Sequence, residues 1–273
     1  MTPSRIELAQ GDVGSGPAVV LLHGYPFDRS MWREQIDFLS AHGYRVFAPN
    51  LRGFGEVVAQ TSVCEPSEID HRLESVALTT MEDMAREVAA LMDKLKIDQA
   101  VICGLSMGGY VAFDFIHLFP RHVHALVLAG TRAPADNEQE KQARFKQVDQ
   151  MLAQGMSGIA EATLPKLLAP RTLAEKPEVV TRVREMILCA DPQSAAAAQL
   201  GMAARRNYSD DLSGIDVPTL VIVGREDPIR PVADAEFMHG RISNSRLEII
   251  EDAAHMTNME QPEVFNQALL GFL

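Results

Sequence analysis

Three residue types that cooperate in acyl transfer occur in one chain order, each just beyond an apolar run: Ser106, Asp227 and His255. Ser106 is the centre of Gly104, Leu105, Ser106, Met107 and Gly108, a GxSxG pattern between the apolar run Ala100 to Cys103 and a helix-like stretch. At a sharp turn from strand to helix, the serine backbone is strained and its hydroxyl is lifted clear of the sheet. Glycine flanks such a turn because a side chain there collides with neighbouring backbone. A serine alcohol is a poor nucleophile at neutral pH, so it needs a base, and the base needs an acid to orient it and to balance its protonated form. His255, in the loop Asp252 to Asn258 after the run Leu247 to Ile250, is the expected base. Asp227 follows the run Thr219 to Val223 through Gly224, Arg225 and Glu226, and is the expected acid. Glu226 and Asp252 are the alternative carboxylates, each placed less naturally at a strand end. The histidines at 42, 71, 117, 122, 124 and 239 fall on helices, at a strand start or in an insertion, where a satisfied or exposed imidazole explains them.

A tetrahedral oxyanion also needs preorganised backbone donors. Met107 N–H, at the start of the helix, is one. The other is expected from the loop His23, Gly24, Tyr25, Pro26, Phe27. Pro26 has no N–H, so Tyr25 is the first candidate and Phe27 the second. His23 reads as a residue that shapes this loop rather than as a base.

These residues require elements to hold them at one edge of a sheet. Short apolar runs at Ala18 to Leu22, Arg45 to Ala48, Ala100 to Cys103, Ala125 to Ala129, Thr219 to Val223 and Leu247 to Ile250 read as strands buried on both faces, hence parallel. Helical periodicity separates them at Met31 to Ala41, Met81 to Leu95, Tyr110 to Phe119, Val232 to Arg241 and Pro262 to Leu273, and Thr80 with Asp83 resembles a capping box. That alternation predicts an α/β fold with a doubly wound, mostly parallel sheet. From Thr131 to Asp211 no strand-like run occurs, only helical patterns with starts at Pro177 and Asp191–Pro192 and breaks at Pro165 and Pro170. The expected division is therefore a core of 1–130 and 212–273 and an inserted helical cap of 131–211. An insertion at the carboxyl edge lies over the crevice where ligands bind, so Phe145, Leu152, Met156, Met186 and Met202 are candidate substrate-binding residues, together with Phe27 of the loop after the first apolar run.

The chain has 273 residues, 47% hydrophobic and 23% charged, enough for a sizeable core, and a formal net charge of -12. That charge argues against nucleic acid or an anionic membrane as the main partner. Three cysteines without metal-ligand spacing argue against a disulfide framework or a zinc site. A cytoplasmic protein without metal or cofactor, acting on a small molecule, is expected; the oligomeric state is left open.

In order along the chain, the stretch His23 to Trp32, the segment LRGFG at Leu51 to Gly55, GLSMGG at Gly104 to Gly109, GREDPIRP around Asp227 and the His255 loop resemble the landmarks of the α/β-hydrolase fold. Within it the chain looks most like the small capped esterases, enol-lactonases and cofactor-free haloperoxidase-like proteins. The resemblance implies the triad, the oxyanion loop and a helical cap between the sixth and seventh core strands. Two features depart from the pattern: Glu56 follows Gly55 where a small hydroxyl residue is usual, and Val57 to Thr79 is longer and more acidic. The expected function is hydrolysis of a carboxylic ester, open-chain or lactone, through an acyl-enzyme on Ser106. The alternatives are an enol-lactonase for a carboxylate-bearing lactone, with Arg205 and Arg206 as carboxylate holders or merely a solvated helix end, and a hydrolase-like small-molecule receptor with incidental turnover.

Overall fold

Residues 12–55 and 78–273 are described in a computed structural model. Their strands are β1 (Asp12–Val13), β2 (Ala18–Leu22), β3 (Arg45–Phe47), β4 (Ala100–Leu105), β5 (Val123–Ala129), β6 (Thr219–Gly224) and β7 (Ser245–Ile250). They form one sheet in the order β1-β3-β2-β4-β5-β6-β7, parallel except where β1 meets β3. All six apolar runs are strands, several extended by a residue or two. The short β1 has no apolar run to announce it.

Alternate residues of the central strands feed two cores. Val19, Leu21, Cys103 and Leu105 point into one, Val20, Leu22 and Ile102 into the other, as a period of two on a doubly covered sheet requires. Helices α1 (Arg33–Ala41), α2 (Met81–Lys94) and α3 (Met107–Leu118) connect the first half. In α2, Met81, Met84, Ala85, Val88 and Met92 recur on one buried face, and the start is closed by Thr80 and Asp83 bonding each other's backbone. Chain reversal happens at β2: β3 lies on one side of it and β4 on the other, and Leu22 pairs with Gly104. The loops leaving β2 and β4 therefore emerge side by side, at the switch point where α/β sheets hold ligands.

Between β5 and β6 the chain forms α4 (Glu138–Gln154), α5 (Ser157–Leu167), α6 (Pro170–Glu175), α7 (Pro177–Cys189) and α8 (Pro192–Ala204), with no strand among them. In the numbering of the described strands these lie after the fifth, not the sixth. Asp191 caps α8 with its carboxylate on the Ser194 N–H at 2.8 Å, and Pro177 and Pro192 open their helices. Pro165 does not break the segment. It sits in the last turn of α5, where the one N–H it removes faced exposed Glu161 and the helix ends two residues later. After β6 come α9 (Val232–His239), α10 (Thr257–Glu260) and α11 (Pro262–Leu270). Among the described residues no helix is long and apolar enough to cross a membrane. Glu56 and residues 57–77 of the acidic stretch lie outside the described residues.

Candidate active site

Ser106 links β4 to α3 with φ +57° and ψ −112°, a backbone conformation costly for any residue with a Cβ. The turn is held rather than relaxed: Ser106 N–H donates to Ala129 O at 2.9 Å, and Thr131 Oγ1 donates to Ser106 O at 2.9 Å. Both flanking glycines are required by space. A Cβ on Gly104 would lie 2.2 Å from Gly108 O, and one on Gly108 would lie 2.1 Å from Leu22 O.

His255 and Asp227 meet through a 2.7 Å bond between Nδ1 and Oδ2, with both side chains buried. Asp227 is fixed in turn by the Ile229 and Arg230 N–H groups on its other oxygen, at 2.8 and 2.9 Å. The competing carboxylates are elsewhere: Glu226 is exposed, and Asp252, also exposed, pairs with Arg171. The histidine loop is anchored to the helical insertion. His255 and Met256 N–H both donate to Leu167 O at 3.1 Å. Fully buried Glu260 accepts from Ala254 N–H of the loop at 2.8 Å and from Ala169 N–H of the insertion at 2.6 Å. Burial pushes the Glu260 pKa up, against these donors and nearby His255. Nothing in the sequence singled this glutamate out.

In the loop after β2 the Tyr25–Pro26 peptide bond is cis. Phe27 N–H donates to Gly24 O at 3.0 Å, which corrects its candidacy as a donor to a ligand. Among the described residues neither Tyr25 N–H nor Met107 N–H has an acceptor. His23 is buried beneath, with Nδ1 on Gly24 O and Nε2 accepting Leu51 N–H, both at 2.9 Å.

A cavity of about 300 Å³ brings Ser106, His255 and Tyr25 to one wall. Of the candidate substrate-binding residues it takes Met202 only. Phe27, Phe145, Leu152, Met156 and Met186 are corrected: Phe27 and Met156 are buried in the core, Leu152 and Met186 pack against it, and half-buried Phe145 is not on the wall. An apolar helix face serves its own helix packing first. Arg205 and Arg206 are corrected too. Arg205 is fully buried on Asp136 at 2.8 Å, and Arg206 pairs with Asp114 and Asp211, so neither faces the cavity nor forms a free helix end. The wall instead holds charges that the sequence reading missed: Arg132, Arg144, Lys166, Arg230, Asp136 and Glu140, together with Tyr110. Among the described residues no cluster of three or more His, Cys, Asp or Glu is arranged for a metal ion.

A family model for the alpha/beta hydrolase fold matches residues 17–262. The 3-oxoadipate enol-lactonase 2 of Acinetobacter baylyi is 30% identical over 253 residues, which cover 93% of this chain and 87% of that protein. A thermophilic esterase from Thermogutta terrifontis, solved with malate bound, is similar at a TM-score of 0.85 and 39% identity, over 95% of this chain and 90% of that one. The enol-lactonase from Burkholderia xenovorans gives a TM-score of 0.82 at 27% identity, over 95% and 92%.

Proposed function

Because the chain belongs to the alpha/beta hydrolase fold family, we propose that it hydrolyses carboxylic esters, open-chain or lactone, through an acyl-enzyme on Ser106. One observation carries this reading: a histidine backed by a buried carboxylate at 2.7 Å shares a cavity with a serine on a positive-φ turn. The esterase and enol-lactonase names of its relatives support the same chemistry. His255 Nε2, the ring nitrogen opposite Asp227, takes the serine proton as Oγ attacks the carbonyl carbon. The Tyr25 and Met107 N–H groups receive the oxyanion. The imidazolium, balanced by Asp227, gives its proton to the departing alkoxide. Water, deprotonated by the same nitrogen, then attacks the acyl carbon, and as the acid leaves, the imidazolium returns that proton to Ser106 Oγ. With a lactone the alcohol stays tethered to that acid. In this reading the core is 1–130 and 212–273, and 131–211 is a cap that roofs the reacting bond.

Ser106→Ala tests it. Turnover of a short aryl ester should fall at least about a thousandfold, with thermal stability near that of the wild type, and a phosphonate inhibitor should label Ser106 alone. Near-normal turnover in this variant, or labelling of another serine, removes the assignment.

A further inference from the structure

Arg230 is distinguished among the arginines on the cavity wall by its lack of an acid. Arg132 pairs with Asp136 and Glu140, and Arg144 pairs with Asp136. Arg230, a residue buried to nine-tenths, donates Nε and Nη2 to the Tyr110 hydroxyl at 3.1 and 2.5 Å and Nη1 to Ile229 O at 2.6 Å. Among the described residues it forms no ion pair; half-buried Asp234 acts on it only through space.

The consequence falls on Tyr110. Its oxygen accepts two N–H groups from Arg230, so its own hydrogen must go elsewhere, and among the described residues that hydrogen has no acceptor. The residue is 1% exposed and lines the cavity. Burial alone would raise its pKa, yet Arg230, Arg205, Arg144 and Arg132 together outweigh burial and lower it. Arg205 lies over the ring, 4.1 Å from its centroid. Asp136 and Glu140, the carboxylates on the wall, are already held by arginines, and Lys166 adds a cation at the exposed rim. A polarised O–H in a positive field calls for an anionic acceptor.

We propose that Tyr110, backed by Arg230, is a carboxylate subsite, so that the preferred substrate is an ester or lactone bearing a second, free carboxylate. This rests on the reading of Ser106 as the nucleophile. Tyr110 N–H donates to Ser106 O at 3.3 Å in the first turn of α3. The two ends of such a substrate are therefore held by one rigid helix start, which fixes the separation between the reacting carbonyl and the carboxylate.

The probes are monoethyl succinate and ethyl 4-methylpentanoate, in which an isopropyl group replaces the carboxylate. Wild type should favour the first in kcat/KM. Tyr110→Phe, which deletes one oxygen, should lower the ratio of the two by roughly tenfold or more, the effect of one lost charge-assisted hydrogen bond. Arg230→Met should lower it as much, and if that variant does not fold, Tyr110→Phe carries the test. Calorimetric titration of Ser106→Ala with monoethyl succinate reads binding without turnover, and adding Tyr110→Phe should weaken it similarly. An unchanged ratio in Tyr110→Phe, or a wild type that favours the isopropyl ester, overturns the subsite and leaves hydrolysis at Ser106 standing. Tyr110-dependent binding in Ser106→Ala, with no ester turnover by wild type, supports the subsite and overturns the hydrolase reading.

Discussion

His23 satisfies a carbonyl and an N–H with one neutral ring, and burial lowers its pKa from the ordinary 6.5 to about 4. Between those values the unfolded chain binds a proton that the folded chain refuses. The contribution of His23 is therefore fully present above about 6.5 and is lost as pH falls toward about 4, on the order of 3 kcal/mol in all. Urea midpoints at several pH values should show this slope in wild type and a flatter one in His23→Asn, which does not titrate; equal slopes would refute the account. Placements were legible where a residue has few ordinary explanations: His23 within its loop, Ser106 at its strand-to-helix turn, His255 and Asp227 after their strands. Tyr110 and Arg230 were not, because a tyrosine on a helix and an arginine after a strand each have many ordinary explanations. Only their meeting across 120 positions gives them a shared one.

At the level of elements, α3 starts so close to β2 that Gly108 is a spacer between backbones. Gly108→Ala would place a methyl 2.1 Å from Leu22 O, with His23 O at 2.9 Å, and neither neighbour is a flexible side-chain end. The expected cost is about 3 kcal/mol or more, at the upper end for overpacking, together with loss of turnover as Ser106 shifts. Chemical denaturation and ester assays on the same sample check both, and a variant as stable as wild type would contradict the packing. Period and capping made the elements readable: β2 spans the residues its apolar run marks, and the Thr80 box opens α2 where the pattern begins. Termini were less so. The GGY at the start of α3 lacks helical periodicity, so the periodic run is readable only from Tyr110, while the GxSxG turn is what marks Met107 as the helix start. The insertion's side of the cavity was unreadable for a related reason, since it mixes charged residues such as Arg132, Asp136 and Arg144 with Ile159, Leu167 and Met202, while Leu152, Met156 and Met186 pack into the core.

Across the whole molecule, Asp136 ties the two ends of the helical insertion to each other. Its buried carboxylate meets Arg132 beyond β5, Arg144 on α4 and Arg205 at the end of α8, and against the opposing effect of burial Arg144 and Arg205 hold its pKa well below the usual carboxylate range. Asp136→Asn removes the shared charge and leaves three crowded guanidiniums, so a loss of about 3 to 5 kcal/mol is expected in urea unfolding; a loss under about 1 kcal/mol would mean the cluster is slack. The second tie, between the α5–α6 junction and the histidine loop, has another consequence. Leu167 O and the Glu260 carboxylate bind the helical insertion and the His255 loop to the same few atoms. By contrast α4 and α8, joined to each other through Gln147 and Gln199, make no hydrogen bond to the histidine loop among the described residues. An outward movement of the α5–α6 junction would thus draw directly on the loop that carries His255, and one of the α4–α8 pair would not.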